Sequence, residues 1–452
     1  MKNLFLSDVV IAFPDGQRSI DLSLLNIVTP EHLPSWFEVS ELASASIACA
    51  GLMASLNMSS PCSRVEVDQR LASLWFDMTL KPIDWDIPPP WDSIAGDYHT
   101  TDGWIRLHTN APHHRAAALS VLGDHCDREA LSAAVASWKK DHLEDAIIDA
   151  GGCAAAMHSL EQWKVHEQGQ AVANEPLIDW QCNNQDKKFR ASLSHQKPLS
   201  GIKVLDLTRI LAGPVATRFL AAYGADVLRI DPLDWDEPSV APEVMLGKRG
   251  AGLDLKSKEG REIFVELIKG ADIFVHGYRS DALTNLGYDH ENLRALNPSL
   301  IDVSLCAYGW SGPWAKRRGF DSLVQMSCGI ADYGMKRSGA DKPVPLPVQA
   351  LDHATGYFMA TAVLYALYRK REHGEILSAR LSLARTAQLL MKSKREALHK
   401  QGCELTPKDM NDKIELTGWG DARRVHWPLE IAGCEARWVH RSGPLKSVAP
   451  RW

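Results

Sequence analysis

The sequence predicts an α/β protein with one large parallel sheet and a second, smaller α+β unit. Between residues 200 and 305, short apolar strands alternate with helical segments at a regular spacing. Residues 95–165 differ, because a Thr101-Asp102-Gly103 turn separates two short strands and helices follow at 128–140 and 142–150. The chain has 452 residues, which is too long for one ordinary compact domain and suits two.

Each element of the larger unit has a local basis in the sequence. Apolar runs predict strands at residues 202–207, 225–230, 251–255, 272–276 and 300–305. Helices are expected between them, at residues 213–223, 258–269 and 289–296, and Ser257 is placed to cap the second helix. Strands interleaved with helices in this way indicate a parallel sheet with helices on both faces. The ligand site of such a sheet lies at the carboxyl ends of its strands.

Composition narrows the class of protein. The net charge is -6 and there is no long basic run, so nucleic acid is not an expected partner. Nine cysteines, an odd number without a C-x-x-C pair, indicate free thiols in a reducing cytoplasm. The N-terminal apolar stretch is broken by Asp8, and the apolar segment 356–368 is too short to span a bilayer. We therefore expect a soluble cytoplasmic protein without a membrane partner.

A weak internal repeat is also present. An apolar helix begins near Glu41 and is followed by a strand at 64–67, and another begins near Asp352 and is followed by a strand at 379–383. In both places an acidic residue, an apolar helix, a turn and a strand occur in the same order. The sequence identity is low, so chance similarity is an alternative explanation.

Common motifs are missing from the sequence. It contains no G-x-x-x-x-G-K-[ST], no H-E-x-x-H and no G-x-G-x-x-G after the first strand. His113 and His114 are adjacent, but no third ligand is near them in sequence, and this favours a solvated turn over a metal site. We expect no metal.

Three features could carry chemistry, and each also has an ordinary structural explanation. After the first strand, a turn through Arg209 leads into a helix that opens at Gly213-Pro214, where phosphate could be bound. Lys248-Arg249 precedes a strand and could hold phosphates or be solvated surface. Asp352 starts a long apolar helix and could be a nucleophile or an N-cap. The residues alone leave these alternatives open.

Taken together, the segments between residues 197 and 390 resemble the class III CoA-transferase family (the CaiB/BaiF family, formyl-CoA transferase-like). Several ordered matches over this length are specific, although each alone is not. In the family's order, the matching segments are residues 198–209 with 212–214, 224–227, 247–249 with 253–256, 296–298, 309–313 and 319–321.

The resemblance implies an architecture and a set of roles. It implies a Rossmann-like large domain that binds CoA, with Asp352 as the catalytic carboxylate. Arg209, Ile210 and Ala212 would contact CoA at the first strand–helix turn. Lys248, Arg249 and Arg318 would meet its phosphates or adenine. The substrates would be an acyl-CoA and a carboxylic acid, exchanged through a mixed anhydride and an enzyme–CoA thioester, with no tightly bound cofactor.

Two alternative functions stay open. The same fold hosts acyl-CoA racemases, and isomerase or lyase chemistry is conceivable on it. The racemase histidine, however, falls where this chain has Phe320, which cannot take a proton. The other alternative is a catalytically silent CoA-binding protein, because the order of the segments is permuted relative to the family.

The permutation sets the predicted domain boundaries. The family's small domain follows the aspartate helix, whereas here residues 95–180 resemble it and precede the large domain. The prediction is a helical N-terminal segment at 1–94, the small domain at 95–180, a linker at 181–197, the catalytic domain at 198–400 and a closing segment at 401–452. Family members form interlocked dimers, so the resemblance implies a homodimer.

The permutation also offers an explanation for the repeat. We hypothesise an ancestral tandem duplication in which the first copy lost its CoA-binding strands and the second lost its small domain. Residues 1–94 would then be a degenerate repeat of the 347–390 region, and Glu41 a silent counterpart of Asp352.

Overall fold

The N-terminal segment contributes three helices and three short strands. The computed structural model describes residues 3–16, 20–125, 127–185, 196–279, 281–398 and 402–452, of which 183–185 are described for their backbone alone. The first elements are α1 (Leu6–Ile11), a 3₁₀ turn (Leu22–Leu24), β1 (Leu25–Val28), α2 (Val39–Leu56), β2 (Val65–Asp68), α3 (Gln69–Leu74) and β3 (Leu80–Pro82).

The small unit is a three-stranded antiparallel sheet covered by helices. Its elements are β4 (Gly96–Thr100), β5 (Gly103–Leu107), α4 (Pro112–Leu122), α5 (Arg128–Val135), α6 (Lys140–Asp149) and β6 (Ala154–Ala156). The predicted turn closes the β4–β5 hairpin, since Thr100 pairs with Gly103. Leu131 and Leu143 from the helices pack on Ile105 of the sheet and are fully buried. Two helices, α7 (Leu160–Val165) and α8 (Glu167–Asn174), then lead to the large unit.

The large unit is built from strands that alternate with helices, as the sequence predicts. Its elements are β7 (Asp179–Gln185), β8 (Lys203–Leu207), α9 (Ala212–Ala222), β9 (Asp226–Asp231), α10 (Ala241–Val244), β10 (Lys248–Gly252), α11 (Lys258–Gly270), β11 (Ile273–His276), α12 (Ala282–Asn285), α13 (His290–Leu296), β12 (Ile301–Cys306), α14 (Asp321–Ser327), α15 (Ile330–Ser338), α16 (Ala350–His373), β13 (Glu375–Ser382) and α17 (Leu383–Leu390).

These strands form one seven-stranded sheet in the order β10-β9-β8-β11-β12-β13-β7. The first six are mutually parallel, and β7 at the edge runs antiparallel to β13. The order reverses between β8 and β11, and a crevice opens there at the carboxyl ends of the two strands. The prediction of a parallel-rich α/β sheet is therefore confirmed.

Two predicted boundaries change. The linker was expected at 181–197, but residues 181–185 belong to β7, where Gln181 pairs with Ser378 of β13. Residues 186–195 of the predicted linker lie outside the described part of the chain. The strand expected at 251–255 is β10, which begins three residues earlier because its pairing with β9 starts at Lys248.

The C-terminal segment pairs with the N-terminal segment. After 3₁₀ turns at Met391–Ser393 and Pro407–Asp409, its strands are β14 (Glu415–Leu416), β15 (Asp421–Arg424) and β16 (Leu429–Ile431). Strand β15 pairs with β3, and β16 pairs with β2 in the three-stranded sheet β1-β2-β16. The two ends of the chain therefore fold together, and neither forms a separate domain.

Helix α16 lies at the centre of the molecule, between α9 and α2. Its approach to α9 requires Gly356, because a Cβ atom there would lie 2.3 Å from the carbonyl oxygen of Ala212. Helix α2 is long and apolar enough to cross a membrane, but 94% of it is buried inside the protein. Its apolar character is thus accounted for by packing in the core.

The surroundings of α2 and α16 are arranged alike. Helix α2 leads to β2, which pairs in parallel with β1 and antiparallel with β16. Helix α16 leads to β13, which pairs in parallel with β12 and antiparallel with β7. The residues before the two helices also match, with φ −78° and ψ 61° at Glu38 and φ −76° and ψ 64° at Gln349. This likeness is what the duplication hypothesis requires, and the history itself stays a hypothesis.

The contact at Gly356 can be tested by adding one methyl group. We expect Gly356→Ala to lower the free energy of unfolding by about 1–3 kcal/mol, because the new methyl group meets backbone that cannot retreat. Chemical denaturation followed by circular dichroism measures this. Gly443→Ala is the matched control, since a Cβ atom there meets nothing within 4 Å. Equal stability of the two variants would contradict the packing described.

Candidate active site

The turn that follows β8 is supported by a buried polar network. The carboxylate of Asp206, which is fully buried, accepts hydrogen bonds from the backbone N–H of Thr208 at 2.9 Å and from the hydroxyl of Thr217. The ammonium group of Lys248 lies 3.2 Å from the same carboxylate and donates to the carbonyl of Pro214 at 2.9 Å. These contacts fix the start of α9 relative to the end of β8.

The same turn contains a strained residue. Ile210 has φ +65°, a left-handed conformation that is rare for a β-branched side chain. Its backbone N–H donates to Glu237 at 2.9 Å, and that buried carboxylate is also ion-paired with Arg229. The turn is therefore held in its strained shape by a buried acceptor, as is common at binding sites.

Arg209 presents an uncompensated cation at the crevice. Its guanidinium carbon lies 4.9 Å from the ring centroid of Trp235 and 5.2 Å from that of Tyr278, and it donates to the Tyr278 hydroxyl at 2.9 Å. Within the described ranges, no carboxylate lies within salt-bridge distance of Arg209. A guanidinium held between two rings without a counter-ion favours an anionic ligand.

The wall of the crevice opposite Arg209 is formed where the small unit packs against the large unit. Arg317 forms a 2.6 Å ion pair with Glu144 of α6, and Arg318 donates to the carbonyl of Gly151 at 3.3 Å. The ring of His108 stacks on Phe320 with centroids 3.8 Å apart. Burial lowers the pKa of His108 to about 4, so this imidazole is neutral at pH 7. On this wall of the crevice, the positive charge therefore comes from Arg317 and Arg318 and not from His108.

A cavity of about 350 Å³ lies between these walls. The large unit lines it with the turn 207–213, Trp235, residues 277–279, residues 305–307 and Asp352, and the small unit adds His113 and His114. Burial, and then His113, lower the pKa of His114 to about 3. One chain thus supplies the wall on both sides of the cavity.

Asp352 lies in the first turn of α16, and its side chain lines the cavity although the residue is only 8% exposed. Burial raises its pKa, and the nearby negative charge of Asp321 raises it further. Its backbone N–H donates to the Asp321 carboxylate at 2.9 Å. A desolvated carboxylate facing a cavity can act as a nucleophile or as a base.

The structure brings five of the seven sequence-predicted site residues to this cavity: Arg209, Ile210, Ala212, Arg318 and Asp352. It does not bring Lys248 or Arg249 there. The Lys248 side chain is 0% exposed and paired with Asp206, and Arg249 is paired with Asp226 at 2.8 Å. The expected contact of these two residues with CoA phosphates does not fit this geometry, because β10 lies two strands away from the crevice.

Several lining residues were missed by sequence reasoning. His113 and His114 were interpreted as a solvated turn, but they open α4 and face the cavity, and His114 is buried. Tyr278 and Trp235 had no local signal, because they reach Arg209 only through tertiary packing. Asp321 was part of a matching motif but was given no role. Among the described residues, no group of His, Cys, Asp or Glu side chains could hold a metal ion.

Comparisons with known proteins find similarity to CoA-transferases. Residues 199–413 match the family model described as CoA-transferase family III. A succinate–glutarate CoA-transferase from Agrobacterium fabrum is 33% identical over 201 residues, which are 40% of this chain and 50% of that protein. The human succinyl-CoA:glutarate CoA-transferase is 31% identical over 199 residues, 41% of this chain and 45% of that protein.

Among solved structures, a CaiB/BaiF family protein from Brucella suis is 25% identical to this chain. The match covers 50% of this chain and 65% of that protein, with a TM-score of 0.40. The chain spans about half of the length of the curated relatives named above. Residues 199–413, just under half of the chain, are thus similar to CoA-transferase family III.

The structural role of Lys248 can be tested against its neighbour on β10. Replacing Lys248 with Met leaves the buried Asp206 carboxylate without its cation, and we expect a loss of about 3–5 kcal/mol in the free energy of unfolding. Arg249→Met removes a half-exposed pair and should cost about 1 kcal/mol or less. Urea denaturation of both variants measures the difference. If Lys248→Met is as stable as Arg249→Met, the buried network does not hold the turn.

Proposed function

We propose that this chain is an acyl-CoA:carboxylate CoA-transferase in which Asp352 is the nucleophile. The observation that supports the proposal most is the position of the Asp352 carboxylate. It is nearly buried, it faces a cavity at the crevice of the sheet, and the unpaired cation of Arg209 lies in the same cavity. The family match over residues 199–413 supports CoA transfer as the reaction class.

In the proposed reaction, a carboxylate oxygen of Asp352 attacks the thioester carbonyl of the donor. The C–S bond breaks, CoA leaves as a thiolate, and a mixed anhydride joins Asp352 to the acyl group. The thiolate then attacks the aspartyl carbonyl, which releases the donor acid as a carboxylate and leaves an enzyme–CoA thioester. The acceptor carboxylate repeats the two steps in reverse. Each step exchanges one carboxylate or thiolate for another, so no net proton or electron is needed.

The protonation state of Asp352 follows from its surroundings. The carboxylate must be ionised to attack, and burial together with Asp321 raises its pKa above the ordinary value. The reaction rate should therefore fall as the pH drops through this raised pKa. The same desolvation favours attack, because a carboxylate that has lost its water is the more nucleophilic form.

CoA would enter along the turn after β8. Arg209 and Arg318 lie on two sides of the cavity and are placed to meet phosphate groups or adenine, while Ile210 and Ala212 offer backbone contacts. CoA is then a substrate, and the proposal needs no tightly bound cofactor. The names of the two relatives suggest dicarboxylic acids such as succinate and glutarate as first substrates to test.

A second candidate function gains one observation from the structure. Phe320 occupies the position of the racemase histidine, but His114 of α4 lies beside it with ring centroids 5.9 Å apart and lines the cavity with Asp352. A histidine and an aspartate on one cavity are what a racemase or isomerase uses. This alternative predicts exchange of the α-hydrogen of an acyl-CoA with D₂O without any acceptor acid.

We also propose that the protein acts in the cytoplasm as a homodimer. The described cysteines are all free thiols, which supports a reducing compartment. Because residues from one chain line both walls of the cavity, each subunit would carry its own site and an interlocked arrangement would not be needed to complete it. Sedimentation velocity on the purified protein gives the oligomeric state.

The nucleophile is tested by a matched pair of variants. We expect wild-type protein to move CoA from succinyl-CoA to glutarate, measured by mass spectrometry of the CoA esters. Hydroxylamine added with acyl-CoA alone should trap a hydroxamate at Asp352. Asp352→Ala should lower exchange by on the order of 10³-fold or more, because it removes the group that forms both covalent intermediates. Glu41→Ala should leave exchange unchanged.

Glu41 is the appropriate control because it occupies the same place in α2 that Asp352 occupies in α16. Its carboxylate accepts from the backbone N–H of Leu4 at 3.3 Å, and Glu41 is not among the residues that line the cavity. Equal loss of exchange in both variants would point to the fold and not to a nucleophile. No exchange by wild type across a panel of acyl-CoAs and acids, with CoA still bound, would favour the silent CoA-binding alternative.

The proposed roles of Arg209 and Arg318 can be tested by measuring the affinity for CoA. Arg209→Ala and Arg318→Ala should each weaken CoA binding by about 1.5–3 kcal/mol, the loss expected for one charge-assisted hydrogen bond to phosphate. The salt dependence of binding should fall with each variant. Arg249→Ala is the control, because Arg249 is held by Asp226 outside the cavity. Isothermal titration calorimetry measures the affinities, and an effect confined to Arg249→Ala would refute the placement of CoA.

A further inference from the structure

We propose that Asp321 is a positioning residue for CoA transfer: its carboxylate caps the first turn of the helix that carries Asp352 and places a second negative charge beside the nucleophile. The inference rests on the proposed function and deepens it. It assigns a role to a residue outside the wall of the cavity, on a different helix from the nucleophile.

The capping contact crosses from one helix to another. Asp321 is the first residue of α14 and is 1% exposed. Its carboxylate accepts the backbone N–H of Asp352 at 2.9 Å, and the nearby N–H of Leu351 also favours its charged form. Gln349, at the N-cap of α16, makes no side-chain capping bond. Asp321 therefore satisfies N–H groups of α16 that would otherwise lack acceptors.

A second bond extends this contact along the chain. The side-chain amide of Gln325, one turn further on α14, donates to the other oxygen of Asp321. The amide oxygen of Gln325 accepts the backbone N–H of Leu346 at 2.7 Å. Helix α14 thus holds the segment that enters α16 at two points, before and after the helix begins. The position of Asp352 depends on both.

Helix α14 in turn is fixed by the small unit. Leu323 and Met326 of α14 pack in one buried cluster with Cys153 and Ala155 of the β6 region. The backbone N–H of His158 donates to the carbonyl of Met326 at 3.1 Å. Docking of the small unit is therefore linked through Asp321 to the place of the nucleophile.

The two carboxylates lack a neutralising cation. Within the described residues, no Arg, Lys or His nitrogen lies within 4 Å of an oxygen of Asp321 or Asp352, and two arginines in their surroundings have other partners. Arg106 is paired with Asp97 at 2.7 Å and Arg317 with Glu144 at 2.6 Å. Other charged or titratable groups lie near the pair. Arg209, Arg318, His113, His114 and Cys306 line the cavity with Asp352, His108 stacks on Phe320 beside Asp321, and His353 follows Asp352 in the chain. Burial raises the pKa of the Cys328 thiol, and the negative charge of Asp321 also contributes to raising it.

The repulsion between the Asp321 and Asp352 carboxylates would favour the proposed reaction. Burial raises the pKa of both Asp321 and Asp352, and their mutual repulsion makes the doubly ionised pair costly. When the Asp352 oxygen becomes part of an anhydride or a thioester, it loses its charge and the repulsion disappears. The resting carboxylate is therefore raised in free energy relative to the acylated one, and this favours attack on the thioester.

The test is Asp321→Asn, which keeps a carbonyl oxygen for the N–H of Asp352 but removes the charge. We expect the acidic limb of the kcat/KM pH profile to move to lower pH, because the pKa of Asp352 falls once its charged neighbour is gone. The plateau rate should fall by about tenfold to a hundredfold, owing to the lost repulsion and looser positioning. A purely structural role would lower the plateau without moving the limb.

Gln325→Ala is the matched control. It breaks the second point of attachment but leaves both carboxylates in place, so we expect a lower plateau with the acidic limb unmoved. Asp321→Ser offers a hydroxyl acceptor of a good capping type and serves if Asp321→Asn does not fold. Thermal unfolding of each variant shows that the protein compared is folded.

A second readout does not depend on activity. The carboxyl carbon of Asp352 can be titrated by ¹³C NMR, assigned by comparison with Asp352→Asn. We expect its pKa to be lower in Asp321→Asn than in wild type. An unmoved titration in the folded variant would overturn the role of Asp321. Absence of CoA exchange by wild type would instead overturn the proposed function, and the NMR titration would still decide whether the two carboxylates interact.

Discussion

The close contact between α9 and α16 is the constraint on which the rest of the site depends. Because residue 356 has no Cβ atom, α16 can lie against the carbonyl oxygen of Ala212 at the start of α9. That contact brings the first turn of α16 up to the turn that follows β8. The turn carries Arg209 and α16 carries Asp352, so a cation and a carboxylate share one cavity.

Charge is distributed unevenly around this contact. Beneath the turn, Lys248 and Arg229 neutralise buried carboxylates and so stabilise the backbone that forms the cavity. Within the cavity, Arg209 has no carboxylate partner and Asp352 has no cation among the described residues. The residues that support the turn are thus neutralised in ion pairs, whereas Arg209 and Asp352, which face the cavity, are not paired with an opposite charge among the described residues. An anionic substrate such as a CoA ester would meet the Arg209 cation before it reached the carboxylate.

The N-terminal segment repeats the surroundings of α16. Helix α2 has the same N-cap backbone geometry and leads to a strand with the same pairing pattern. Asn3 and Leu4 contact Glu41, Asn3 at its backbone carbonyl and Leu4 at its carboxylate. Helix α2 packs against α16 in the core, so the segment stabilises the helix it resembles. The chain therefore retains the packing of two similar helices, and of the carboxylates in their first turns it is Asp352 that lines the cavity described above.

The sequence by itself determined the alternating strands and helices, since their apolar periodicity is local. Its resemblance to a known family also pointed to Asp352, Arg209 and Arg318 as site residues, and all three line one cavity in the structure. Tertiary structure alone decided that Lys248 is buried against Asp206, that His113 and His114 face the cavity, and that Asp321 caps α16. The local sequence of a Lys-Arg pair on a strand is the same whether the pair contacts solvent, phosphate or a buried carboxylate. The difference lies in which strand neighbours it and which helix covers it, and that depends on packing between residues far apart in the chain.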